Sequence, residues 1–314
     1  MTFTFYLLGK RLVVAAFILL IVSGIVFFIS NLLPGDAVQA ILGQSATPEA
    51  ISALREAYGL DRPPFERYLL WLTGILSGDP GISLANQMPV SDLISDRLPR
   101  SMTLAGITAA IAVPLALTIG VLSAMKRNSP LDRALNIITL SLVAVPEFLL
   151  ATIGVLVFAV ELRWFSSLSY LPKNPDFGDY LYNFALPVGT LLCVLIAQMA
   201  RMTRAAVIEE LDKPYAEMAL LKGASLTRIA LKHALPNAIS PIANAIALGL
   251  SYLLGGVIVV EVVFNYPGVA SLMVDAVSNR DMALLQACAM LFCCGYMLLV
   301  LIADWLSIIF NPKR

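Results

Sequence analysis

The stretch PYAEMALLKGASLTRIALKHALPN, residues 214–237, decides how this chain is read. Tyr215 to Lys222 is a run of helix formers, opened by Pro214 and stopped by Gly223. A second short run, Leu226 to Ala234, is closed by Leu235-Pro236. The spacing predicts two short helices at a bend, charged on one side and apolar on the other. An apolar run of bilayer length follows it, and another precedes it. A knob of this kind is shaped to dock in a groove on a soluble partner.

Working outward, six stretches carry the roughly 20 apolar residues that a helix needs to cross a hydrocarbon core. They are Leu12–Leu33, Ser101–Met125, Leu135–Val160, Phe184–Ala200, Ile239–Val263 and Ala283–Phe310. The 314 residues are 59% hydrophobic and only 13% charged, about half the charge of a soluble domain, with a mean hydropathy of +0.84. The expected fold is therefore an all-α membrane protein with six transmembrane helices. Pro114, Pro146, Pro187 and Pro241 fall inside these runs, which is tolerated where neighbours satisfy the freed carbonyls. The first run is too long for a signal peptide and lacks a small-residue cleavage site, so a retained anchor is expected. A zero net charge gives no electrostatic case for nucleic acid.

Basic residues orient the spans. Lys10, Arg11, Lys126, Arg127, Arg133, Arg201, Arg204, Lys213, Lys222, Arg228, Lys232, Lys313 and Arg314, 13 of the 21 Lys and Arg, fall on one side. Both termini and the 205–238 loop are thus expected in the cytoplasm. The expected organisation is tail and span 1 (1–33), a helical extracytoplasmic segment (34–100), the transmembrane core (101–310) and a short cytoplasmic tail (311–314). In the outer segment Thr47 caps a helix that starts at Pro48-Glu49 and ends by Gly59; a second helix, Pro64 to Leu76, is closed by Gly78.

Glu217-Met218-Ala219, three residues, Gly223, nine residues, then His233-Ala234-Leu235-Pro236 is similar to the Glu-Ala-Ala loop of binding-protein-dependent ABC importer permeases. Met218 replaces the first Ala of that pattern and His233 its Ile. Leu33-Pro34-Gly35-Asp36, Ala46-Thr47-Pro48-Glu49, Tyr58 to Pro63 and Gly78 to Ser83 resemble the first permease of dipeptide, oligopeptide and nickel importers. Val260 to Phe264, Tyr266-Pro267-Gly268 and Asn279-Arg280-Asp281 do so too, and the family's Asp-Pro-Arg ending stands here as Asn311-Pro312-Lys313. The resemblance covers essentially the whole chain. It implies the type I ABC importer permease fold in a bacterial inner membrane, surrounded by lipid. It also implies pairing with a second, homologous permease, one or two ATPase subunits that use ATP and magnesium, and a periplasmic solute-binding protein. The loop would couple to the ATPase through Tyr215, Glu217, Ala219, Lys222, Gly223, Arg228, His233 and Pro236.

The chain has no Gly-x-x-x-x-Gly-Lys-Ser/Thr phosphate cradle, so nucleotide is expected to bind elsewhere and no cofactor here. The only histidine, His233, and Cys193, Cys288, Cys293 and Cys294 form neither a catalytic nor a metal-binding pattern. Glu147 and Glu261 stand inside apolar runs and, with Ser251 and Gly255, are translocation-path candidates; for each, packing or a structural hydrogen bond is the plainer reading. Ala247, Ser251 and Gly255 recur at helical spacing and suit close helix approach. Arg201 and Arg204 are candidates for an inner gate, against ordinary positive-inside anchoring, and Asp304 is expected to pair with a nearby base. Peptides are the expected solute, with nickel, glutathione or opines as alternatives within the family. An ion-coupled secondary transporter would need inverted repeats, and none is visible.

Overall fold

Five apolar helices long enough to cross a bilayer, and a sixth span broken in its middle, make up most of the chain. The structure, a computed structural model, describes residues 2–31, 47–172 and 175–309; the Leu33–Asp36 motif, Ala46 and residues 310–314 lie outside them. In order the helices are α1 (Thr2–Asn31), α2 (Pro48–Ala57), α3 (Pro64–Ser77), α4 (Val90–Met125), α5 (Pro130–Ala144) and α6 (Glu147–Gly154). There follow α7 (Phe177–Leu211), α8 (Pro214–Leu221), α9 (Leu226–Ile229), α10 (Ile239–Val263), α11 (Val269–Ser278) and α12 (Met282–Ile309). Helix α6 continues as a π-helical stretch, Val155–Glu161, and α9 as another, Ala230–Ala234, before a last turn, Leu235–Asn237. Among the described residues the only β pairing is an isolated bridge between Ile82 and Pro89.

Helix α10 has the bounds expected from hydropathy. The third span does not: Leu135–Val160 is not one helix but α5 and α6, bent by 99°. Pro146 has no N–H to give and forces the residue before it out of helical geometry, so Val145 is extended (φ −87°, ψ 128°) and a new helix starts at Glu147. The fourth span also differs. Helix α7 runs beyond the expected end at Ala200, past Arg201 and Arg204, to Leu211, because Arg204 is paired and Ala206 and Val207 are buried.

The chain folds as two compact units. One comprises Leu12–Met102 and Pro267–Gly295. Here Thr47 Oγ1 accepts from Ala50 N (3.2 Å) at the start of α2, Gly59 turns the chain at φ +61°, and Gly78 ends α3 at φ +84°. Helix α3 packs on α1, with the Tyr68 ring 5.5 Å from Phe27 and its hydroxyl 2.9 Å from Ser23 Oγ. Val90, Val269, Leu272, Ala276, Leu284, Ala287 and Cys288 form a buried cluster between the start of α4, α11 and α12. The buried Asp281 carboxylate accepts from Ser83 Oγ, Ala85 N (3.2 Å) and Leu284 N (3.3 Å). Two of the family-like patches, far apart in sequence, are thereby joined.

The other unit comprises Met1–Arg11, Thr103–Tyr266 and Tyr296–Arg314. Helix α10 packs chiefly on α7, and α7 also holds α5 and α6. Asp304 pairs with Arg11. Small residues set how closely the helices approach. A Cβ on Gly120 would stand 2.7 Å from Thr203 Cβ and 2.8 Å from the Ala200 carbonyl, whereas one on Gly249 would meet Met199 Cγ (2.6 Å) and Sδ (2.7 Å), the movable part of a flexible side chain. Gly120→Ala is therefore expected to destabilise the unit by about 1–3 kcal/mol and Gly249→Ala by less. Thermal unfolding in detergent measures both; equal losses would count against the backbone contact as the cause.

Candidate functional site

Helix α7 ends as a stalk that carries the 212–238 loop. At its foot Glu210 is buried and accepts hydrogen bonds from Lys213 Nζ and from the Tyr215 hydroxyl (2.8 Å). Burial, and then the hydrogen bond to Glu210, push the Tyr215 phenol up to about 12. It stays a neutral donor throughout the physiological range.

Helix α8 starts with Pro214 in its first turn and ends at Leu221, capped by Lys222 and followed by Gly223 at φ +83°, the left-handed conformation that glycine adopts without strain. Ser225 Oγ then caps α9, accepting from Arg228 N (3.4 Å). The two short helices and the bend are as the sequence predicts, but Leu235-Pro236 does not close the second helix: the wider π-helical turn Ala230–Ala234 makes room for the Pro236 ring, and the helix continues through Leu235–Asn237 to a turn at Ala238. The division of faces is finer than predicted. Small residues turn inward: Ala216, Ala230, Ala234 and Ala238 are buried, with Ile229. Larger apolar side chains turn outward beside the charged ones. Leu221 is 75% exposed, and Met218, Leu220 and Leu226 are each more than half exposed. Glu217, Lys222, Arg228 and His233 are exposed as well, as is Pro236, while Ala219 is half-buried and Tyr215 lies at the margin of exposure. His233 contributes its carbonyl oxygen, which accepts from Asn237 Nδ2 (2.7 Å). An outward patch of long apolar side chains ringed by charges has the make-up of a docking surface.

The turn between α4 and α5 is bolted to the same stalk. The Asp132 carboxylate, 3% exposed, receives Arg204 Nε (2.7 Å) and a second guanidinium nitrogen (2.8 Å). It also accepts from Ser123 Oγ, Asn128 N (2.9 Å) and Asn136 Nδ2 (2.8 Å). Two turns further on, Arg127 pairs with Asp212 (2.9 Å). Of the two gate candidates, then, Arg204 is held in a pair and Arg201 is exposed. Sequence reasoning passed over Asp132 and Glu210; their one local signal is a carboxylate near a helix end beside a run of bases.

The path candidates separate. Ser251 is buried with its hydroxyl on the Ala247 carbonyl (2.8 Å), and Glu261 is fully buried. Gly255 lies open, with no atom near the place of a Cβ; the close approach on α10 is made instead by Gly249 and Gly256. Glu147 is half-buried and lies against Gly256.

Residues 116–314 match the family described as binding-protein-dependent transport system inner membrane component, and residues 4–105 match its N-terminal companion. The chain is 33% identical over 304 residues to the probable peptide ABC transporter permease protein y4tP of Sinorhizobium fredii, covering 97% of each chain. It is 35% identical over 303 residues to the glutathione transport system permease protein GsiC of Escherichia coli, covering 96% of each.

Proposed function

The chain belongs to the binding-protein-dependent inner-membrane component family of ABC importer permeases, and from that membership we propose that it forms half of a translocation pathway for di- and oligopeptides. It is a multi-pass membrane subunit, and its family works with ATPase and binding-protein partners. In our reading a second, homologous permease supplies the other half, one or two ATPase subunits hydrolyse ATP with magnesium, and both termini face the cytoplasm. Loop 212–238 then docks α8 and α9 in the ATPase, and closure of the ATPase pair turns the pathway outward to receive solute from the binding protein.

The observation that carries this is the outward apolar patch of Met218, Leu220, Leu221 and Leu226 on a loop whose buried side is lined by Ala216, Ile229, Ala230, Ala234 and Ala238. Nothing within the loop requires those side chains outside; a partner groove does. The two relatives point to the solute. Glutathione is itself a tripeptide, so both of their names converge on small peptidic solutes. Glutathione is therefore the second reading for this chain. Tagging the chain, extracting it gently and identifying what accompanies it tests the assignment. A second permease and one or two ATPases are expected. A chain recovered alone and active on an ion gradient would overturn it.

A further inference from the structure

A carboxylate exposed to a recess within the spans, Glu147, sits at the break in the third span. Pro146 turns the chain, α6 begins at Glu147 after the 99° bend, and the side chain reaches α10. There Gly256 leaves it room: a Cβ at 256 would stand 2.9 Å from Oε2 and closer still to Oε1. Leu191, Leu195 and Gln198 of α7 and Tyr252 of α10 line the same small recess. Among the described residues Glu147 has no ion-pair or hydrogen-bond partner. Asp132, Asp304 and Glu210, near span ends, each have one. The recess is not sealed, since Tyr252 is 63% exposed and lies on an uncovered stripe of α10 with Leu248 and Gly255.

A carboxylate at membrane depth is costly unless water or a cation reaches it. We propose that Glu147 is a cation-recognition point on the translocation path and takes the terminal ammonium of the peptide. This rests on the importer reading above. An ammonium carries three donors. Glu147, Gln198 and Tyr252, whose side chains carry acceptors or a ring face for such donors, line one recess. The leucines exclude water from the other side, and because the recess is open the hold is weak enough for the solute to leave.

The test uses the complete importer in liposomes and two peptides that the binding protein loads equally, one with a free and one with an acetylated amino terminus. The ratio of their uptake rates is expected to fall about tenfold in Glu147→Gln. Gly256→Ala, which pushes the carboxylate from its place, lowers the ratio in the same direction. An unchanged ratio overturns the proposal, whether or not overall uptake declines. Loss of the second permease from the Glu147→Gln assembly also overturns it, by assigning the charge to a basic side chain of that subunit. A parent assembly that imports neither peptide in response to ATP removes the importer reading itself, and this site with it.

Discussion

Leu221→Asp is expected to cut solute uptake by about a hundredfold or more while the chain inserts and folds as before. Leu221 is 75% exposed at the end of α8, so the change removes little packing inside the chain. In the proposed docked state the same position is enclosed, and a carboxylate there would lose its water without gaining a partner. Desolvation of an unpaired charge costs several kcal/mol, enough to release the ATPase. Leu221→Ala, which removes contact without adding charge, is expected to lose less. Gly223→Val acts on the same loop by another route, because a β-branched residue at φ +83° is strained by about 1–3 kcal/mol and the bend after α8 is lost. Three quantities decide the matter: uptake in liposomes, the amount of chain in the membrane, and the ATPase recovered with it. Normal uptake by Leu221→Asp would remove the docking role of this face.

The short helices of the 212–238 loop were legible because their signals are local. Whereas Pro236 is carried inside the helix by the π-helical turn before it, Pro214 and Gly223 act on their immediate neighbours as their chemistry requires. The same holds for Thr47 at the start of α2 and for α10, whose ends are marked by hydropathy alone. What was missed depends on partners distant in sequence or on averaging. A hydropathy window runs smoothly across Val145-Pro146, although Pro146 itself announces the break that places Glu147. Arg204 reads as a positive anchor until Asp132 is folded against it, and no spacing rule relates residues 72 apart. Helix α11 is too short to register as a span, yet Val269, Leu272 and Ala276 already trace its buried face. The pairing of Ser83 with Asp281 explains two family-like patches whose resemblance was visible but whose physical reason was not.

Asp132→Ala is expected to destabilise the α4–α5–α7 end by about 3 kcal/mol, since it strips one partner from a buried ion pair and leaves Arg204, 25% exposed, without its counter-charge. The Ser123, Asn128 and Asn136 donors lose the same acceptor, so the loss belongs to the whole node rather than to one bond. Arg127→Ala provides the contrast. It breaks a pair on the same turn, but Arg127 and Asp212 are 49% and 60% exposed, and such pairs are worth no more than about 1 kcal/mol. Thermal unfolding of the purified assembly should separate the two variants clearly, and equal shifts would show that burial of Asp132 is not what makes its pair strong. The consequence reaches the loop. Both pairs are anchored at the C-terminal end of α7 immediately ahead of α8, so in the proposed docked state a displacement of the loop would be passed to the α4–α5 turn through the stalk. With Asp132 gone the stalk can move without the turn, and ATP hydrolysis should continue while uptake per ATP falls. If uptake and hydrolysis instead decline in proportion, the node serves stability alone and the motion is carried by the packed helices around it.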